Sequence, residues 1–221
     1  MKNTRSKVLI LGILVVALVG IFMSKGFSQK SKPHMANWPP QIGQTYPDLE
    51  LIDQDGKQWN LSRFKGKVIL IEPIGMNCPA CQSFAGAHKK GPYGNITPQK
   101  GLDDFEGYFN SYTGGLSLND DGIVLVELLL YDLTMGQPTL KDAEGWAKHF
   151  GMKSANNHFV VIPSTDMRNK ASYDLIPGYQ LIDKQFTLRS DSTGHHPKDD
   201  LGRKLLPMVP KVLMEKKRGA A

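Results

Sequence analysis

Residues 67–81 read KVILIEPIGMNCPAC, and this stretch most constrains what the chain can fold into. Between Lys67 and Pro73 it reads as a continuous apolar run rather than an alternating one, the pattern of a central strand covered on both faces. The only two cysteines of the 221-residue chain, Cys78 and Cys81, come straight after it. A strand handing over to Cys-Pro-Ala-Cys admits two chemistries. Two thiolates can hold a soft metal, or a dithiol can cycle with a disulfide.

The spacing favours the second. A structural disulfide normally closes a longer loop, because so small a ring constrains the unfolded chain little. If Pro79 occupies the first turn of a helix, it lacks only an N–H that has no partner there. Cys78 then lies at the helix N-terminus, where the dipole and free amides favour a thiolate and lower its pKa from about 8.5. Cys78 is therefore expected to be the nucleophile. Cys81, about one turn further in and more buried, is expected to resolve the mixed disulfide.

The first 34 residues begin with Lys2, Arg5 and Lys7 and continue with 16 apolar residues from Val8 to Met23. That length lies between a secretory signal core and the roughly 20 residues that span a bilayer. No small-x-small cleavage site follows in the stretch from Ser24 to Ser28, and no cysteine stands there for a lipid anchor. The expectation is a signal-anchor and tether over residues 1–34, crossing the bacterial inner membrane once. It would carry a domain of residues 35–221 in the periplasm or at the cell exterior; a cleaved signal peptide is the alternative. Two cysteines so spaced in an exported domain are more often redox-active than structural.

The formal charge of +6 is a property of that leader. From residue 35 onward 21 basic residues face 21 acidic ones. No basic stripe argues for nucleic acid. The remaining length fits one domain with a sizeable core, expected to be a monomer.

Leu49 to Ile52 and Gln58 to Leu61 flank DQDG, a hairpin signal. Ser62 reads as the N-cap of a short helical turn ending at Gly66. Beyond Cys81 lie about 40 residues containing GPYG, TPQKG and TGGLSLNDDG around a helix expected from Leu102 to Tyr112. This exceeds a simple crossover and reads as an insertion that shapes a partner surface or covers the dithiol. GIVLVELLLYD is the next strand. Thr139 caps a helix that stops at Gly151, NHFVVIP is a strand, and Gly178 to Ile182 and Gln185 to Arg189 form a second hairpin. A terminal helix runs from Lys198 to Lys217, interrupted by Pro207 and Pro210.

LSRFKGKVILIEPIGMNCPACQSF resembles the active-site region of the thioredoxin superfamily, in particular its exported, membrane-tethered redoxins. The resemblance covers residues 39–90 and, more weakly, 123–215. It implies an α/β fold, a thioredoxin-like central sheet flanked by helices, with an N-terminal hairpin and an insertion after the active-site helix. It implies a thiol-disulfide oxidoreductase that needs no cofactor and meets a protein or small-molecule thiol or disulfide partner. Glu72, six positions before Cys78, matches the buried acid that accepts a proton from the resolving thiol, and a buried carboxylate has the raised pKa this requires. Ile176-Pro177 matches the cis-proline that faces the dithiol, with Ile176 offering its backbone to a bound partner. Asn77 stands where many thioredoxins have Trp and would also touch the partner.

The same residues bear on two other chemistries. GMNCPAC is similar to the loop of small heavy-metal-associated domains, but QSFAGAHKKGPYG breaks the following helix too soon. Copper chaperones with a redoxin fold place three residues between their cysteines and add a distant histidine; here the spacing is two. Cys78 and Cys81 with His195 or His196 form the alternative Cu(I) site on ligand softness. His88, about two turns beyond Cys81 on the same helix, should point elsewhere. Peroxiredoxins place Thr or Ser three residues before the attacking cysteine and Pro four before that. Counting from Cys78 gives Gly75 and Ile71, and from Cys81 gives Cys78 and Ile74, so neither register fits.

Overall fold

The computed structural model describes residues 37–215, and the expected leader lies outside them. Among the described residues no helix is long and apolar enough to cross a membrane. Seven strands form one sheet: β1 (Glu50–Asp53), β2 (Gln58–Asn60), β3 (Val68–Gly75), β4 (Ile123–Tyr131), β5 (His158–Pro163), β6 (Gln180–Ile182) and β7 (Leu188–Asp191), in the order β2-β1-β5-β4-β3-β6-β7. The three central strands β3, β4 and β5 are parallel, and antiparallel hairpins close both edges. Every residue of β3 and of β4 is buried, as a continuous apolar run requires when both faces of the sheet are covered.

Parallel neighbours need crossovers, and the steps from β3 to β4 and from β4 to β5 go the same way along the sheet. Right-handed connections then lie on one face. The first carries α1 (Pro79–Phe84), α2 (Ala87–Lys90) and α3 (Phe105–Tyr112), and the second carries α4 (Leu140–Phe150). Val68 and Leu70 of β3, Ile123 and Leu125 of β4, and Tyr179 and Leu181 beside them pack against Phe84, Phe105 and Phe109. Side chains alternate along a strand, so Glu72 and Glu127 continue these rows onto the same apolar face. A short helix α5 (Lys170–Tyr173) precedes β6, and α6 (Leu206–Met214) adds Val209 and Val212 to the same core.

Local chemistry sets the element ends. In α4, Asp142 accepts from the Thr139 amide and hydroxyl at 2.7 and 2.6 Å, a capping box, and Gly151 ends the helix at φ 68°. Four expectations are corrected. Ser62 does not cap: it lies inside the 3-10 turn Leu61–Phe64, with its amide and hydroxyl both held by Asp48 at 2.8 Å. The insertion helix starts at Phe105, because Asp104 takes the cap position and accepts from Gly107 N–H at 2.8 Å. The second hairpin pairs later than expected. Gly178 at φ 127° passes so close to Ser192 that no Cβ fits, and β6 begins only at Gln180. The terminal helix starts after Asp200, with a π turn at Leu201–Leu205 ahead of α6.

Candidate active site

Strand β3 ends at Gly75, and the chain turns through Met76 and Asn77 into α1. Cys78 N–H donates to Gly75 C=O at 2.9 Å, and Met76 N–H donates to Tyr131 C=O at 2.9 Å, which pins the turn to β4. Cys78 is the N-cap, with Pro79 behind it in the first turn, and its sulfur accepts the Cys81 amide at 3.3 Å. Both cysteines are free thiols; Cys78 is partly exposed and Cys81 is fully buried. The hydrogen bond from the Cys81 thiol brings the Cys78 pKa down to about 7, against the opposing pull of burial and with help from the Cys81 and Ala80 amides. Cys81 moves the other way: burial raises its pKa well above the usual thiol value, and the bond to Cys78 and the charge of Glu72 add to that. The two sulfurs are thus unequal in the sense expected of a nucleophile and a resolving thiol.

Glu72 lies on β3 beneath them and is completely buried. Its Oε2 accepts the Tyr179 hydroxyl at 2.7 Å, and its Oε1 has no hydrogen-bond partner among the described residues. Burial, and then the neighbouring carboxylate of Glu127, raise its pKa well above the usual value, with the Tyr179 hydrogen bond opposing. A carboxyl so placed takes up a proton more readily than an exposed one and can exchange it with a thiol.

Ile176-Pro177 is a cis peptide. Pro177 stands beside Cys78 in two hollows. One, of about 380 Å³, is walled by Phe84, Leu102, Leu201 and Pro197. The other, of about 180 Å³, is walled by Asn77, Tyr131, Tyr173 and Ile176. His195 lines both hollows and His196 lines neither. Among the described residues no three His, Cys, Asp or Glu side chains come together as a metal site.

The insertion reaches this site. Gln99 N–H donates to Pro79 C=O at 3.0 Å, Ser83 Oγ donates to Gln99 C=O at 3.1 Å, and Gln99 and Leu102 wall the larger hollow. His88 is not on the helix of Cys81, a further correction. That helix ends at Phe84, Gly86 turns at φ 98°, and His88 Nε2 lies 3.0 Å from Gln99 C=O on the next segment.

No protein-family model and no curated protein matches the chain. Among solved structures it is similar to a solution structure from Bacteroides thetaiotaomicron provisionally named a protein disulfide isomerase, at 16% identity over 79% of this chain and 91% of that one, with a TM-score of 0.52. A hypothetical protein from Sinorhizobium meliloti matches at 18% identity over 82% and 88%, with a TM-score of 0.50. The thioredoxin domain of a thiol-disulfide oxidoreductase from Bacteroides vulgatus matches at 16% over 76% and 98%, with a TM-score of 0.47.

The fold is thioredoxin-like.

Within this thioredoxin-like frame the site has parts that sequence reasoning did not single out. Tyr179 is one, reaching Glu72 from the start of the second hairpin. Gln82 is another: buried one residue after Cys81, it donates to Met76 C=O at 2.8 Å and accepts Tyr93 N–H at 2.9 Å, tying the active-site turn to the insertion. A polar residue on the inward side of α1 was the available signal. Glu127 is the third, a carboxylate inside the apolar run of β4, in register with Glu72.

Proposed function

We propose that the chain is a thiol-disulfide oxidoreductase in which Cys78 attacks and Cys81 resolves. The observation that carries this reading is the contrast between the sulfurs. Cys78 is accessible, at a helix N-terminus, with a pKa near 7, and it faces Pro177 across an open hollow. Cys81 is buried one turn behind it, above a protonatable carboxyl.

The Cys78 thiolate attacks one sulfur of a partner disulfide, forming a mixed disulfide and releasing the other sulfur as a thiolate. Cys81 gives its proton to the Glu72 carboxylate, and its sulfur attacks Cys78. The Cys78–Cys81 disulfide forms and the second partner sulfur leaves as a thiolate. Two electrons have passed to the partner, and a thiol reductant must return them. Asn77, Ile176 and Pro177 line the hollow where an extended partner chain would lie. The leader supports placing this chemistry outside the cytoplasm, on a membrane tether.

Trapping tests the assignment. Cys81→Ser in the full chain should accumulate mixed disulfides through Cys78, while Cys78→Ser should accumulate none. Trapping only through Cys81 would sink it. For location, the full chain should fractionate with membranes and resist carbonate extraction. A soluble mature protein starting between residues 24 and 37 would show a cleaved leader instead.

A further inference from the structure

Glu72 is sealed on all sides, so the proton it takes from Cys81 needs a way out. Its neighbour across the parallel pair β3·β4 is Glu127, and register partners leave the same face of adjacent strands about 4.8 Å apart. Glu127 is itself held in place. Trp146 Nε1 of α4 donates to its Oε2 at 2.7 Å, and His158 Nε2 at the start of β5 lies 2.9 Å from its Oε1. Exposure changes along this row: the side chain of Glu127 is 2% exposed and that of His158 is 24% exposed. Both line a cavity of about 270 Å³ that includes neither cysteine and shares Phe84 with the larger Cys78 hollow.

We propose that Glu127 and His158 are the proton relay of the dithiol, carrying the Cys81 proton from Glu72 to solvent through this cavity and returning one when the disulfide is reduced. The proposal rests on the oxidoreductase reading above. The steps balance as proton transfers alone. Protonated Glu72, whose Oε1 is unpartnered among the described residues, passes its proton across the register pair to the Glu127 carboxylate once the two carboxyls close to hydrogen-bond distance. Glu127 passes it to His158 Nε2, and the imidazolium releases it to water. Histidine is suited to the last position because imidazole exchanges protons near neutrality. The mutual influence of Glu72 and Glu127 also appears in the raised pKa of Glu72, for which Glu127 is the largest cause after burial.

Charged groups around the cavity are Lys89, Lys90, Asp104, Glu106 and Lys153. Lys89 is paired with Asp104, and Lys90 is bonded to Phe150 C=O, so neither competes for Glu127. Trp146 offers only an N–H donor to the pair.

The test uses the reduced full-length chain and follows hydrogen–deuterium exchange of the Glu72 carboxyl stretch by infrared spectroscopy, assigned by its loss in Glu72→Gln. His158→Ala and Glu127→Gln should each slow that exchange about 10²-fold, the low end of what general acid–base groups supply. Free imidazole should restore the rate in His158→Ala. In a thiol-exchange assay both variants should form the mixed disulfide at the parent rate and slow only at resolution, with the pH profile of that step flattened. Glu127→Gln keeps an acceptor for Trp146, so it guards against a folding artefact. An exchange rate unaltered by either substitution overturns the relay. A parent chain that forms no mixed disulfide would sink the oxidoreductase reading instead, and the infrared measurement needs no disulfide partner.

Discussion

The rim and the floor of the dithiol site are built from the same short segment, yet they give opposite properties to identical side chains. Cys78 and Cys81 stand three residues apart on one helical turn. At the rim, a thiol hydrogen bond and two helix amides hold a negative sulfur, and the pKa settles near 7. At the floor there is no solvent, Glu72 lies below, and the same thiol keeps its proton. Hydrogen bonds at the helix end lower one sulfur and burial raises the other, because a helix entering the protein at its N-terminus leaves its first residue outside and buries the next turn. The contrast needs no special residue at either position.

The most severe break of this contrast is Cys78→Ser, which should reduce disulfide exchange to the uncatalysed background. The milder Cys81→Ala should raise the pH at which Cys78 reacts, since the Cys81 thiol is the largest cause lowering it. In the unaltered chain the Cys78 alkylation rate should climb with pH to a midpoint near 7, because only the thiolate reacts, and then level off. A midpoint at the free-cysteine value of about 8.5 would remove the difference between rim and floor.

Next in size is Glu72→Gln, which should preserve the fold and slow resolution by about 10²-fold at neutral pH while leaving attack by Cys78 unaltered. Stopped-flow kinetics of the two steps would show it, and equal slowing of both would deny the floor its separate role.

Tyr179→Phe sharpens the comparison further. The ring stacks on Phe105 at 3.7 Å between centroids, and Phe keeps that contact, so only the hydroxyl on Glu72 is lost. Leaving that buried carboxyl without its donor should cost about 1–3 kcal/mol in denaturant unfolding. It should also make Glu72 hold its proton more tightly, since this hydrogen bond lowers its pKa. The smallest effect is expected at the rim. Replacing His195 and His196 together by Ala should leave disulfide turnover nearly unchanged, and stoichiometric Cu(I) lost on that replacement would favour a metal carrier.

Much of this is legible in the sequence. The unbroken run in β3, Pro79 after Cys78, the Thr139 and Gly151 boundaries of α4, and the place of Pro177 ahead of a hairpin all depend on residues a few positions apart. Ser62 and His88 depart from the local pattern for two different reasons. Asp48, fourteen positions earlier, occupies the Ser62 donors, and Gly86 divides a helix that side-chain pattern alone would continue.

Local chemistry therefore determined, from sequence alone, that a strand would deliver a dithiol to a helix N-terminus and that its two sulfurs would differ. Tertiary structure alone decided what lies beneath them. Tyr179 meets Glu72 across 107 positions of chain, Trp146 and His158 meet Glu127 from two further elements, and only the register of β3 on β4 sets the two carboxyls side by side. Capping, turns and apolar runs act over a few bonds. Contacts between distant segments follow from strand order and register, which the whole packed sheet settles at once.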